Sequence, residues 1–276
     1  MLIYKNIVKH NRFLKVKFLK LFFSLSRQER IFRKSLINYF EEYVSFYNFE
    51  PKQINDIYMK FIENYFENIK IFKIDKSYDN LNRNIYFEKK EYDLIMLLSF
   101  IFDYERLKLL ILFSETEFSG NTMFIGSGSG IELQIYLSKY QNIEHVFLLE
   151  KEQSPFLKYF FENKIVYADF SDMGNNKYDS IIAIEVIEHI KNYKNFIKKI
   201  INSIEFNGIF FLTLAKNIPQ FDHFINFVDY SELLNVFYER EFILIKNVLI
   251  SYDNYTDIES TNYVLEFKKK IVKKIM

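Results

Sequence analysis

Apolar positions change their period partway along this chain, and the change divides it. From residue 1 to 118 they recur at helical spacing, in a stretch without a single glycine. The first 24 residues set Phe13, Leu14, Phe18, Leu21 and Phe22 among Lys and Arg and predict a basic amphipathic helix. Ser26 to Phe49 predicts a long amphipathic helix. Pro51 restarts a helix at its first turn, with Ile54, Ile57, Tyr58 and Phe61 on one side, running to about Ile71. Asp75 to Asn84 is polar and loop-like, the best internal break. Lys89 to Ser114 predicts one further helix.

Beyond Asn121 short apolar runs alternate with helical stretches. Phe124-Ile125 ends the first run, and His145 to Leu149, Lys164 to Ala168, Tyr178 to Ile184 and Gly208 to Ala215 follow as strands. Ile131 to Tyr140 and Tyr193 to Ile204 read as helices between them, and Asn207-Gly208 reads as a stop-and-turn signal. Strand and helix in this alternation predict a parallel sheet.

Candidate chemistry sits at the strand ends. The chain has six glycines, and Gly126, Gly128 and Gly130 alternate in Phe124-Ile-Gly-Ser-Gly-Ser-Gly130. A strand ending in such a turn brings bare backbone up to a ligand and feeds its amides into a helix. Glu150 follows Gly130 by twenty residues and closes the second strand, where a carboxylate accepts hydrogen bonds from both hydroxyls of a ribose. Asp169 and Phe170 close the third, a carboxylate for an adenine amino group and a ring to pack on the base.

Taken in order and at these spacings, FIGSGSG, Glu150, Ala168-Asp169, YDSIIAIEVIEHI and NGIFFLTLAKN resemble the class I S-adenosylmethionine-dependent methyltransferase domain over residues 120 to 270. The resemblance implies an α/β fold: a Rossmann-like, seven-stranded, mostly parallel sheet flanked by helices. Glu241 to Ser251 and Thr261 to Lys268 would supply its last two strands. We place a helical N-terminal region at 1–118, as a cofactor cover or dimerisation layer, and the S-adenosylmethionine-binding domain at 119–276. The implied cofactor is S-adenosyl-L-methionine, held by Gly126, Ser127, Gly128 and Gly130 at its methionine end, Glu150 at the ribose and Asp169 with Phe170 at the adenine. Glu185 is expected to face the methyl group. One departure stands out: Phe124 occupies the position two before the first loop glycine, where the family usually has Asp or Glu. Relatives of the nicotianamine-synthase type, which transfer an aminocarboxypropyl group, also carry an apolar residue there. That activity is one alternative, and a non-catalytic binding subunit is another.

Glu185-x-x-Glu188-His189, with His223 further on, has three readings. Carboxylates and imidazoles hold divalent ions, and the small-RNA 2′-O-methyltransferases use a cluster of this kind. His223 comes too soon after the fifth strand for that likeness, however. His189 or His223 as general base is the second reading, since imidazole titrates near neutrality. The third is that the cluster caps the fourth strand and lines the pocket floor. The catalytic candidates are thus His189, His223 and Glu185, and no metal is assigned. Gln220 to Phe227 reads either as an acceptor loop or as a segment packing Phe221, Phe224 and Phe227 under the sheet, with His223 capping the helix after Asp229.

Composition narrows the partners. Net charge is +1, so no overall field favours nucleic acid. Without cysteine there is no disulfide, thiolate nucleophile or thiolate-bound metal, which fits a cytoplasmic protein. The 32 Phe and 21 Tyr accompany abundant Lys, Ile and Asn, all with A/T-rich codons, so codon bias accounts for them better than stacking platforms do. Lys15, Lys17 and Lys20 interrupt any signal-peptide core, and the strongest apolar run, Leu94 to Phe102, is too short for a bilayer span that needs ~20 residues. The basic first helix is expected to dock on its own domain or on a twin subunit, with an anionic membrane surface as the alternative. The expected partner is a small-molecule or sugar-type acceptor methylated on O or N.

Overall fold

The structure is a computed structural model, and it describes residues 2–140, 145–170, 176–252 and 258–270. The helical stretch comprises α1 (Leu2–His10), α2 (Arg12–Ser24), α3 (Arg27–Tyr47), α4 (Pro51–Asp75), α5 (Lys89–Phe102) and α6 (Tyr104–Glu115). Two of the expected helices are each broken once. Asn11 leaves helical geometry and its side chain accepts the Leu14 N–H, capping α2 where one basic helix was expected. Asp103 is extended (φ −96°, ψ 119°) and separates α5 from α6. Its carboxylate is ion-paired to Lys17 of α2, so a partner distant in sequence fixes this bend. α3 begins at a capping box of Ser26 and Glu29, and Asn48 closes it in the left-handed region.

The remaining elements are β1 (Thr122–Ile125), α7 (Ile131–Lys139), β2 (Val146–Leu149), α8 (Pro155–Phe160), β3 (Val166–Tyr167), β4 (Tyr178–Ala183), α9 (Tyr193–Asn202), β5 (Ile204–Lys216), α10 (Ser231–Tyr238), β6 (Phe242–Ser251) and β7 (Thr261–Lys269). They form a seven-stranded sheet in the order β3-β2-β1-β4-β5-β7-β6. The first five strands are mutually parallel, and β7 inserts antiparallel between β5 and β6. Strand order reverses between β1 and β4, and open α/β sheets bind ligands beyond the strand ends at such a point.

Two expectations need correction. The third strand shrinks to Val166–Tyr167. Asn207-Gly208 does not end an element but lies inside β5, where the pairing with β4 slips between Tyr178 and Ser180. Asn207 takes φ 69°, and a Cβ on Gly208 would sit 2.9 and 3.0 Å from the Glu205 and Asp179 carbonyl oxygens. The turn signal is thus absorbed as a bulge beside a paired strand.

Alternation along the strands sorts side chains to two faces. Met123, Ile181, Leu212 and Leu265 face α9 and α10, packing with Ile197, Ile200, Leu233 and Phe237. Their neighbours Phe124, Ile182, Phe211 and Val264 face the other way and share one cluster with Phe40, Leu98, Leu110 and Phe113 of the N-terminal helices. That region therefore covers one face of the sheet together with α7 and α8, whose Leu133, Tyr136, Phe156 and Leu157 belong to the same cluster. Phe124 belongs to this core, fully buried with its ring edge-on to Tyr136 (5.1 Å) and Phe113 (6.3 Å).

Candidate active site

The loop after β1 needs its glycines for two physical reasons. All three take positive φ, 65° at Gly126, 51° at Gly128 and 76° at Gly130. At Gly130 there is also no room: a Cβ would meet Leu157 Cδ2 at 2.3 Å and the Tyr39 hydroxyl at 2.9 Å. Tyr39, from α3, in turn donates to the Ser129 carbonyl (2.7 Å) and ties the loop to the helical region.

A cleft of about 1350 Å³ opens at the ends of β1, β2 and β4. Gly126, Gly128, Glu150, Asp169, Phe170, Glu185 and His189 all line it. Ser127, Gly130 and His223 do not; Ser127 and His223 are buried, and Gly130 is packed against α8. The opposite wall comes from the helical region and its approach, through Tyr86, Phe87, Lys89, Tyr92 and Asp93.

Glu150 accepts the Gly128 N–H at 2.7 Å. Burial pushes its carboxyl up to about 7, against the opposing pull of Lys89 and the Gly128 amide. Asp93 lies on the other side of the same glycine, 3.4 Å from where a Gly128 Cβ would be, and both its oxygens accept from Lys89 at 3.0 Å. It too is raised by burial, to about 6. A carboxylate thus stands beside the loop after all, brought by α5. Glu132, just inside α7, is buried and raised to about 8 by desolvation. Phe170 stacks on Phe196 (5.4 Å, 9°) with Lys199 Nζ 4.4 Å from its ring.

Glu185 holds a strained φ of 55°, its N–H donating to Thr213 Oγ1 at 2.8 Å. Its oxygens are engaged: Oε1 accepts from Asn262 (2.6 Å), and Oε2 lies 2.9 Å from Arg106 Nη2 as an ion pair outside hydrogen-bond geometry. Burial would lower the Arg106 guanidinium, but the Glu185 charge, with smaller help from Tyr252, Asp103 and Tyr92, more than offsets it and the guanidinium is held above its ordinary value.

A short 3₁₀ turn, Ile187–His189, presents His189 to the cleft. His189 Nδ1 lies 3.3 Å from Asp222 Oδ2 and 3.2 Å from the Asp222 carbonyl. Tyr92 donates to Oδ2 (2.6 Å) and Gln220 to Oδ1 (3.0 Å) of the same carboxylate. Burial opposes a charge on His189, yet Asp222 and Glu188 carry its pKa above the ordinary imidazole value. His223 lies behind, ring centroids 4.7 Å apart, and is lowered to about 3 by burial and by His189. It does not cap the helix after Asp229, whose side chain instead accepts from Ser231. Arg83 holds this loop from the helical side by donating to the Phe221 (2.5 Å) and His223 (2.7 Å) carbonyls. Glu188, His189 and His223 each place one ligand atom within 4.8 Å of the others, and both Glu188 oxygens and His223 Nδ1 lack hydrogen-bond partners among the described residues. By donor type the trio suits a divalent transition ion.

Lys89, Tyr92, Asp93 and Arg106 escaped the sequence reading, and Asp222 entered it only as part of the Gln220 to Phe227 segment, without a role of its own. The available signal was an ionic i,i+4 pair, Lys89 and Asp93, in the first turns of a helix that is almost wholly apolar from Leu94 onward.

The sheet order, with its antiparallel β7, makes this the Rossmann-like methyltransferase fold. No protein-family model and no curated protein matches the sequence. Among solved structures, the chain is similar to the [4+2]-cyclase SpnF (11% identity over 59% of this chain and 80% of that one, TM-score 0.47). It is similar also to the N-methyltransferase NodS from Bradyrhizobium japonicum WM9 (12%, 60% and 96%, 0.43). A third is the precorrin-6y C5,15-methyltransferase from Geobacter metallireducens GS-15 (13%, 60% and 88%, 0.42).

Proposed function

We propose that this chain is an S-adenosylmethionine-dependent methyltransferase acting on an oxygen or nitrogen of a small-molecule or sugar-type acceptor. The observation that carries the reading is the convergence of Gly126, Gly128, Glu150, Asp169 and Phe170 on one cleft at the sheet's switch point. The residues present suit the cofactor. The loop's positive-φ glycines keep side chains off the backbone at the methionine end. Glu150 offers a carboxylate to the ribose, and Asp169 and Phe170 an acceptor and a ring to the adenine. Of the carboxylates Asp93, Glu150 and Glu185 that line the cleft, Asp93 is paired with Lys89 and Glu185 with Arg106, which leaves Glu150 as the one of the three without a salt-bridge partner among the described residues. When bound, S-adenosylmethionine supplies an electrophilic methyl group.

The chain's own work is then positioning and proton removal. His189 reaches the cleft with Nδ1 held by Asp222, which leaves Nε2 to take the acceptor's proton. Asp222 and Tyr92 are positioning residues for that imidazole. Glu185, held by Arg106 and Asn262, shapes the floor rather than moving a proton. The cleft exceeds the ~300–1,000 Å³ typical of one small-ligand site, so it has room for cofactor and acceptor together. Tyr86, Phe87 and Phe221 give the acceptor aromatic walls.

Calorimetric titration with S-adenosylmethionine and S-adenosylhomocysteine, on the wild type and Glu150→Ala, tests this reading. Micromolar binding that the substitution weakens supports it, and no binding of either ligand to folded wild type overturns it in favour of a scaffold. Phe124, turned into the core, motivates the aminocarboxypropyl alternative; methylthioadenosine as the product would establish that reaction instead.

A further inference from the structure

Helix α2 is apolar on both sides. Leu14 and Leu21 are buried against the helical region. Opposite them, at i, i+3 and i+7, Val16, Leu19 and Phe23 are 50, 45 and 80% exposed, and Phe22 beside them is 48% exposed. Ile31, in the second turn of α3, extends the patch at 64%. Arg12, Lys15, Arg27 and Arg30 are exposed around it, with the Arg30 guanidinium 4.9 Å from the Phe22 ring. The charge is local to this end of the chain. Residues 1–34 carry ten Lys or Arg against one acid, Glu29, whereas the other 242 residues carry 27 against 35.

Charge and apolarity together select the occupant. A second copy meeting this patch across a two-fold axis would set the same cations against each other. The occupant must be anionic. A nucleic acid satisfies the cations, but its phosphates give Val16, Leu19 and Phe23 no apolar medium. An anionic lipid surface supplies both, with headgroups for the basic rim and the acyl boundary for the stripe. We propose that α2 and the start of α3 dock this protein on an anionic bilayer surface, lying in its plane. No described helix is long and apolar enough to cross a membrane, so the attachment is peripheral.

The test is co-sedimentation of the full chain with phosphatidylcholine vesicles, with and without phosphatidylglycerol. Binding only to the anionic vesicles, weakened at least ~10-fold by Leu19→Glu/Phe23→Glu and likewise by high salt, is the expected result. These side chains point to solvent, so circular dichroism and the unfolding midpoint of the double variant should match wild type. Calorimetry with S-adenosylmethionine on the same samples reports on the cleft separately, so the two readings fail independently. Equal binding to both vesicle types, or to neither, overturns the proposal. So does a concentration-dependent dimer that the double variant abolishes, or single-stranded RNA binding that the variant leaves intact while vesicles are ignored.

Discussion

Glu150→Gln should make the empty protein more stable while weakening its hold on cofactor. The Glu150 carboxyl has an ordinary value of 4.5 and stands at about 7 in the fold, raised chiefly by burial. Between those values the folded state holds more protons than the unfolded one, so stability falls as pH rises through that window. Above pH 7 the whole penalty is present, on the order of 3 kcal/mol at 1.36 kcal/mol per tenfold. Gln removes the charge and keeps an oxygen for the Gly128 N–H that Glu150 now accepts at 2.7 Å. The variant should therefore gain about 1–3 kcal/mol at pH 8, or roughly 2–4 °C in midpoint for each, and gain nothing near pH 4. Cofactor affinity should move the other way. Losing one charge-assisted hydrogen bond to a ribose hydroxyl removes ~1.5–3 kcal/mol, roughly 10- to 150-fold in Kd. Thermal unfolding at the two pH values, with calorimetric titration at pH 8, measures both. A midpoint at pH 8 that stays put or drops would refute the burial argument, and an unchanged Kd would refute the ribose assignment.

Further outcomes follow from the same geometry. Asp222→Asn removes the main group holding the His189 pKa up, so the imidazole titration followed by NMR should shift to lower pH; a value that stays or climbs would sink the pairing. Gly130→Ala forces a left-handed alanine into Leu157 and should cost about 2–5 kcal/mol in urea unfolding, with a loss under ~1 kcal/mol counting against the packing described. Arg106→Met strands the Glu185 carboxylate, for a loss of ~3–5 kcal/mol; adding Glu185→Gln should restore part of it, and no restoration would mean the pair is not what the guanidinium serves. EDTA should leave both the unfolding midpoint and the S-adenosylmethionine affinity unchanged, whereas a loss reversed by Mn²⁺ or Zn²⁺ would assign Glu188, His189 and His223 to an ion.

What could be read in the sequence was what short segments specify by themselves. β1, β2, β4 and the glycine turn each announce themselves within ten residues, and the turn's backbone demands glycine whatever surrounds it. Where a distant partner decides, the pattern failed. One continuous apolar stripe hid the bends at Asn11 and Asp103, the second fixed by Lys17. Asn207-Gly208 carries a local turn signal that pairing with β4 converts into a bulge. Asp93 reads as the polar edge of a helix, and only the fold sets it against Gly128, more than thirty residues on. Asp222 and Tyr92 meet across 130 residues, a separation no local pattern encodes.

Because α3, α5 and α6 share one face of the sheet with α7 and α8, the helical N-terminal region is part of the molecule's wall rather than a detachable lid. Without it, Phe124 and Phe211 would lose the Phe113 ring that packs on both, and the cluster they share with Ile182 and Val264 would lose its members from those helices. A chain starting at residue 119 should therefore be a sticky fragment, apt to aggregate before it can be asked about any ligand. The same joinery limits how such a protein can change over generations. A new acceptor pocket cannot be acquired by exchanging the helices wholesale; it has to arise by substitution at positions such as Tyr86, Phe87 and Tyr92, which reach the cleft, while the residues behind them keep the sheet dry.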